Sequence, residues 1–266
     1  MNYGFIRVAA ATHAVVVADV IHNTEEICRM IEEARQNQAS LLVFPELSVT
    51  GYTCHDLFLQ NTLLARAEKA VDELRRFSVD YEMVIVAGFP FSYKNKLYNC
   101  AAVICKGALL GIVPKRFIPN YQEFYEARYF TPGDRLPVTV DFLGEETLFG
   151  GNILFRCKDI EHFVIGVEIC EDLWMPLTPG TTHALAGATV LVNSSASDEV
   201  VGKTLYRNQL VGGKSASLIC AYIYANTGIG ESTQDLVFSG HNVIAENGAI
   251  VSESGRFADE ILYGDI

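Results

Sequence analysis

The sequence predicts an α/β fold. Amphipathic helical segments alternate with short apolar strands at both ends of the chain. Between them lies a β-rich middle of closely linked strands. No linker, low-complexity tract or block of like charge divides the 266 residues, so a single domain over 1–266 is expected. Half the residues are hydrophobic, and a chain of this length buries a large core.

Taken in order, Phe5 to Thr12 reads as the first strand, with β-branched and small residues and few charges. Asn23-Thr24-Glu25-Glu26 offers a helix start, with Asn23 as cap and Glu26 reaching back to it. Ile27, Met30, Ile31 and Ala34 then follow at helical spacing. Leu41 to Phe44 is a short buried strand that Pro45 stops before Glu46. A second helix is expected from Asn61 to Tyr81, with Leu63, Ala67, Ala70, Val71, Leu74 and Phe77 on one side.

Met83 to Phe89, Asn99 to Cys105 and Leu109 to Val113 are strands with short links, which predicts antiparallel pairing. Asp141 to Cys157 adds strand pieces and turns. Phe163 to Ile169 is a buried strand running out at Cys170, and Pro176 and Gly180 break regular structure beyond it. A short helix near Thr181 to Ala186 precedes the strand Thr189 to Val192. Another, Lys203 to Ser217, precedes the strand Leu218 to Ala225. Asn242 to Ala245 and Ile250-Val251 flank Asn247-Gly248, a type I′ hairpin turn, and Leu262 to Ile266 is a last strand cut off by the chain end.

The formal charge of −12, with no compensating basic run, excludes nucleic acid and anionic membrane as partners. The longest apolar runs, about six to ten residues, are too short to span a bilayer. The opening residues Met1 to Arg7 lack a basic flank before an apolar core, so no signal peptide is expected. Seven cysteines, an odd number without small-domain spacing, read as reduced thiols in a cytoplasmic protein. Cys100 and Cys105 lack partners at zinc spacing, so no metal is expected. A small molecule is the partner these features favour.

Three strands end in a polar residue set in an apolar frame. Glu46 follows Val43-Phe44-Pro45, where loss of water raises a carboxylate's pKa and suits it as a base. Alternatively it is a capping or surface glutamate. Lys115 in Ile112-Val113-Pro114-Lys115 is placed to steady a developing oxyanion, or else is a surface lysine with a packed stem. Cys170, where a strand opens into a loop, is a nucleophile or one more small buried hydrophobe. Strand ends that share one sheet edge converge on a crevice. A thiol, a carboxylate and an ammonium gathered there meet the needs of acyl transfer from an amide.

Phe44-Pro45-Glu46-Leu47, Pro114-Lys115 and Gly166-Val167-Glu168-Ile169-Cys170-Glu171-Asp172 resemble the three signature blocks of the nitrilase superfamily of carbon–nitrogen hydrolases. Within it the chain is similar to the glutaminase domain of glutamine-dependent NAD synthetases. That likeness rests on Thr50-Gly51-Tyr52-Thr53-Cys54-His55-Asp56-Leu57-Phe58, the run Pro119 to Glu126, Asn193-Ser194-Ser195-Ala196-Ser197 and Gly230-Glu231-Ser232-Thr233-Gln234-Asp235.

The resemblance implies a four-layer α-β-β-α sandwich and a catalytic triad of Glu46, Lys115 and Cys170. It further implies L-glutamine as substrate, with Tyr52, Tyr121, Glu171 and Ser197 shaping its pocket and Glu126 as a second carboxylate orienting Lys115 or water. Members of the family pair through their helical faces, so a homodimer or larger assembly is expected. They also carry a synthetase domain that uses ATP and deamido-NAD. No Ser-Gly-Gly-rich pyrophosphate loop occurs here, so the chain is expected to be one domain of a longer protein and to need no cofactor itself. A standalone amidase acting on another ω-amide, carbamoyl group or nitrile, and a non-catalytic assembly domain, remain as alternatives.

Other patterns carry less. Gly228-Ile229-Gly230 lacks the third glycine of a dinucleotide loop, since Thr233 holds its place. His55 and His241 are candidates for a Cys-His hydrolase, although structural histidines serve as well. No Gly-x-Ser-x-Gly elbow surrounds Ser194, Ser195 or Ser197.

Overall fold

The protein is described by a computed structural model covering residues 4–233 and 235–266. The leader reading at residues 1–3 and Gln234 of the Gly230 to Asp235 run lie outside the described residues. The chain opens with β1 (Arg7–Thr12), α1 (Val20–Gln36), β2 (Leu41–Val43) and α2 (Asn61–Phe77). The middle is β3 (Val84–Tyr93), β4 (Lys96–Cys105), β5 (Ala108–Pro114), β6 (Val138–Phe142) and β7 (Glu145–Phe149). Next come β8 (Leu154–Arg156), β9 (Val164–Ile169), α3 (Pro179–Leu185), β10 (Val190–Ser195) and α4 (Lys203–Leu218). It finishes with β11 (Ala221–Asn226), β12 (Val243–Glu246), β13 (Ala249–Glu253) and β14 (Glu260–Asp265).

Two sheets form. One runs β14-β1-β2-β3-β4-β5-β7-β6 and the other β13-β12-β11-β10-β9-β8. β1, β2 and β3 pair in parallel, β3, β4 and β5 antiparallel, and β9, β10 and β11 in parallel. Alternation along each strand separates three apolar layers. Leu41 and Val43 of β2 face Val167, Ile169 and Ile223 between the sheets, whereas Leu42 faces outward with Ile27, Ile31 and Val71 of α1 and α2. Leu191, Tyr222 and Val243 meet Val211 of α4 on the opposite outer face. Three apolar layers make four layers of structure, an α-β-β-α sandwich in one domain.

Several expected boundaries are corrected: α2 ends at Phe77 and not at Tyr81, β3 runs on to Tyr93 and does not stop at Phe89, and two further ends differ for reasons the contacts show. The first helix starts at Val20, capped by Asp19, whose Oδ1 accepts the His22 N–H at 3.1 Å. Asn23 is not the cap. It lies buried in the first turn, where its amide takes the Val16 N–H at 2.8 Å and donates to the carbonyls of Val16 and Val49. Glu26 pairs with Arg29 instead. In α4 the helix continues to Leu218 and Ile219 turns at φ +51°, so β11 begins at Ala221 and not at Leu218. Asn247 and Gly248, at φ +48° and +91°, make the expected primed turn between β12 and β13.

Candidate active site

The three polar strand ends meet in the interior, although not at one edge of one sheet. Glu46 and Lys115 follow β2 and β5 of the eight-stranded sheet, while Cys170 follows β9 of the other. The strand ends that converge therefore belong to two stacked sheets, and the crevice lies between them.

Local backbone geometry aims each group. The chain after β2 turns sharply over β3, with Leu47 at φ +51°. It passes so close to Gly88 that a Cβ there would stand 2.2 Å from the Leu47 nitrogen and 2.6 Å from the Pro45 carbonyl. Glycine at 88 is what lets Glu46 point inward. Cys170 opens a 3₁₀ turn, Cys170–Trp174, at φ +43°. That left-handed conformation is costly for a residue with a side chain, roughly 1–3 kcal/mol. Asp172 offsets it by accepting the N–H groups of Ile169 at 3.0 Å, Phe117 at 2.8 Å and Arg116 at 3.1 Å. One buried carboxylate thus ties the chain after β5 to the chain after β9. Asn193 of β10 completes the clamp, accepting the Cys170 N–H at 3.1 Å.

The side chains form a dry charge cluster. Glu46 and Lys115 are fully buried and Glu126 is 5% exposed. Lys115 Nζ donates to Glu46 Oε1 at 2.6 Å and to Glu126 Oε1 at 2.7 Å. Glu46 also accepts from Asn99 Nδ2 at 2.6 Å and, on its other oxygen, from the Ala196 N–H at 2.9 Å. Tyr52 OH donates to Glu126 Oε1 at 2.8 Å. Glu231 in turn holds the Tyr52 and Thr53 N–H groups at 2.6 and 2.9 Å, so the Gly228 to Glu231 loop serves this site and not a dinucleotide.

Burial, with two carboxylates against one ammonium, sets the proton balance. Burial opposes the charge on Lys115, but Glu126 and Glu46 hold its pKa well above the usual lysine value. Burial pushes Glu126 up to about 7 against the pull of Lys115, with the Glu46 carboxylate adding to the rise. Burial likewise raises the Cys170 thiol far above its ordinary value, and Glu46 raises it further while Lys115 opposes. Cys170 at rest is a thiol and not a thiolate.

Cys170 opens into a cleft of about 620 Å³ that Tyr121, Glu171, Trp174, Ser197 and Lys203 also wall, a volume suited to a small molecule. Tyr121 OH donates to the Glu171 carboxylate at 3.0 Å. Of the four residues expected to shape the pocket, Tyr121, Glu171 and Ser197 line this cleft. Tyr52 and Glu126 come from behind Lys115 and border a second, smaller hollow with Phe58 and Phe130. His241 lies between Arg207 and Glu253, and His55 stacks on Tyr125. Neither walls the cleft. Among the described residues no cluster of three or more His, Cys, Asp or Glu could hold a metal, and no helix is long and apolar enough to cross a membrane.

Sequence reasoning passed over Asn99, Asn193 and Asp172. Asn99 is a lone amide in an apolar strand and Asn193 opens the run Asn193 to Ser197, which are the signals that were there to read.

Two stacked sheets, one lending an acid and an amine and the other a thiol, make a hydrolase of the α-β-β-α sandwich class. The chain belongs to the carbon–nitrogen hydrolase family, whose profile matches residues 7–266. It is 43% identical over 256 residues to a glutamine-dependent NAD(+) synthetase of Mycobacterium tuberculosis, and 34% identical over 247 residues to that of Aquifex aeolicus. These matches take in 96% and 92% of this chain but 38% and 40% of the relatives, so the chain spans about two-fifths of their length. Among solved structures, a glutamine-dependent NAD(+) synthetase from Cytophaga hutchinsonii superposes with a TM-score of 0.87 at 31% identity, over 98% of this chain and 43% of that one. An amidase of the nitrilase superfamily from Nesterenkonia shares the fold, with a TM-score of 0.80 at 21% identity over 99% of this chain and 91% of its own.

Proposed function

We propose that this chain hydrolyses the side-chain amide of L-glutamine and supplies the ammonia to an ATP-dependent synthetase domain in a longer protein. The observation that carries the chemistry is the buried Glu46–Lys115–Glu126 cluster acting on a protonated Cys170 thiol. Glutamine is favoured over other amides by the names of the relatives that match nearly the whole chain.

Glu46 takes the thiol proton as Cys170 Sγ attacks the amide carbon. Lys115 and the N–H of Glu171 hold the oxyanion, the latter because the first N–H groups of a helical turn lack partners within it. Glu46 returns the proton to the departing nitrogen, ammonia leaves, and a γ-glutamyl thioester remains on Cys170. Water, deprotonated by Glu46, attacks the thioester and releases glutamate and the free thiol. Tyr121, Glu171 and Ser197 bind the glutamine, with the Glu171 carboxylate suited to its α-ammonium. Glu126, steadied by Tyr52, orients Lys115. The domain uses no cofactor of its own, and ATP and deamido-NAD are left to the synthetase domain. The reduced thiols fit the cytoplasm, and pairing through the helical faces gives a homodimer or larger assembly, which mass in solution checks.

A substrate panel read by ammonia release tests this reading. Glutamine is expected to be turned over and Cys170→Ala to be inactive. Turnover of another amide, a carbamoyl compound or a nitrile without turnover of glutamine overturns the choice of substrate.

A further inference from the structure

β10 carries a polar side chain beneath the turn that holds the nucleophile. Alternation puts Val190 and Val192 between the sheets and Leu191 on the outer face, so Asn193 shares the outer face with Leu191. The parallel ladder between β9 and β10 ends at the Ser194–Ile169 pair, one residue before Cys170. There the fully buried Asn193 side chain takes over from the backbone. Its Oδ1 accepts the Cys170 N–H at 3.1 Å, and its Nδ2 donates to the Cys170 carbonyl at a longer 3.5 Å. A backbone N–H can only donate and a carbonyl can only accept, so these two partners fix which way the amide faces. One side chain thus grips both polar groups of the nucleophile's own backbone, at the residue held at φ +43°.

We infer that Asn193 is a positioning residue for the oxyanion donor: by holding the Cys170 carbonyl toward β10, it turns the N–H at the other end of that peptide, the N–H of Glu171, toward the cleft. The carbonyl of one residue and the N–H of the next are opposite ends of one planar trans unit, and they point opposite ways. Cys170 and Glu171 both wall the cleft. The two preceding N–H groups are already claimed, that of Ile169 by Asp172 at 3.0 Å and that of Cys170 by Asn193. Charge on a bound oxyanion polarises the Cys170–Glu171 peptide and makes its carbonyl a stronger acceptor, so the bond from Asn193 Nδ2 shortens as the charge forms. Bonds that tighten in this way are commonly long in a free protein. The inference rests on Cys170 as nucleophile and the Glu171 N–H as oxyanion donor, and not on glutamine as substrate.

The test compares two reactions of Cys170 that differ in their need for an oxyanion site. Iodoacetamide alkylates the sulfur by displacing iodide, and no oxyanion develops. p-Nitrophenyl acetate acetylates it through a tetrahedral oxyanion: the thiol proton passes to Glu46, the sulfur bonds to the acetyl carbon, and p-nitrophenolate leaves. Mass spectrometry of the Cys170 peptide follows both. Asn193→Ala is expected to slow acetylation about tenfold or more relative to alkylation, the cost of a misplaced donor. A residue that merely held the turn together would slow both reactions alike. Equal slowing, no slowing, or slower alkylation alone therefore overturns the proposal. If the alanine variant does not fold, Asn193→Ser, whose hydroxyl cannot span both groups, carries the same decision. Failure of both variants to fold makes Asn193 a structural residue and overturns the proposal too. Neither reagent needs glutamine, so a wild-type protein that ignores glutamine while its variants shift as stated retires the glutaminase reading and upholds this one. A wild type that is not acetylated at Cys170 overturns both.

Discussion

Glu46 has both carboxylate oxygens engaged, by Lys115 and Asn99 on one side and the Ala196 N–H on the other, so its orientation is fixed before any substrate arrives. Glu46→Gln keeps that shape and removes the proton shuttle. It is expected to lower kcat roughly 10²–10⁴-fold with little change in thermal unfolding, measured by ammonia release and by melting. Glu126 has a different consequence. A carboxyl whose folded pKa of about 7 exceeds its ordinary 4.5 binds its proton more tightly in the folded protein. Its contribution to stability is full below the lower value and is lost as pH rises through the upper one. Urea unfolding of wild type and Glu126→Gln should therefore show the variant gaining on wild type between about pH 5 and about pH 8, by up to about 3 kcal/mol. The meeting of Glu46, Lys115 and Cys170 was legible in the sequence because each interrupts an apolar frame. Asn193 and Asp172 were not, since their worth lies in N–H groups brought to them from distant turns. Asn23 misled for the opposite reason: a good capping residue followed by Glu26 is a local pattern, and here a tertiary contact to Val49 claimed the side chain.

Among elements, periodicity told most of the story. The three apolar layers sort residues by the alternation already visible in Leu41-Leu42-Val43, and α1 and α2 bury the stripes their spacing marks out, except for Phe77 at the end of α2, which stays exposed. What periodicity does not encode is how one strand end is fastened to another. Asp172 does this between the chains that leave β5 and β9, accepting the buried Ile169 N–H and the part-buried N–H groups of Arg116 and Phe117. Asp172→Ala strands those donors, at about 1–3 kcal/mol for each buried group left unpaired. The expected outcome is a loss of about 1–3 kcal/mol in chemical denaturation, chiefly from the buried Ile169 N–H, with turnover falling further than Tyr121→Phe would lower it. A variant that unfolds like wild type would show that the three bonds are dispensable.

Across the whole molecule, the reactive groups straddle the sheet–sheet interface, so neither sheet holds a working site alone. Activity is expected to vanish at the lowest denaturant concentration at which either sheet opens, followed by ammonia release beside far-UV and near-UV circular dichroism. Residual activity after the first unfolding step would contradict the shared site. The sequence foretold one domain and a shared crevice. It did not foretell that the crevice lies between two sheets, because stacking depends on surfaces that strand patterns leave unpaired. Keeping Cys170 protonated has one more effect. Peroxide attacks thiolates, and a sulfur that stays neutral between turnovers is a poor target for conversion to a sulfenic acid. The resting protein is therefore expected to lose activity to peroxide more slowly than hydrolases with a permanent thiolate.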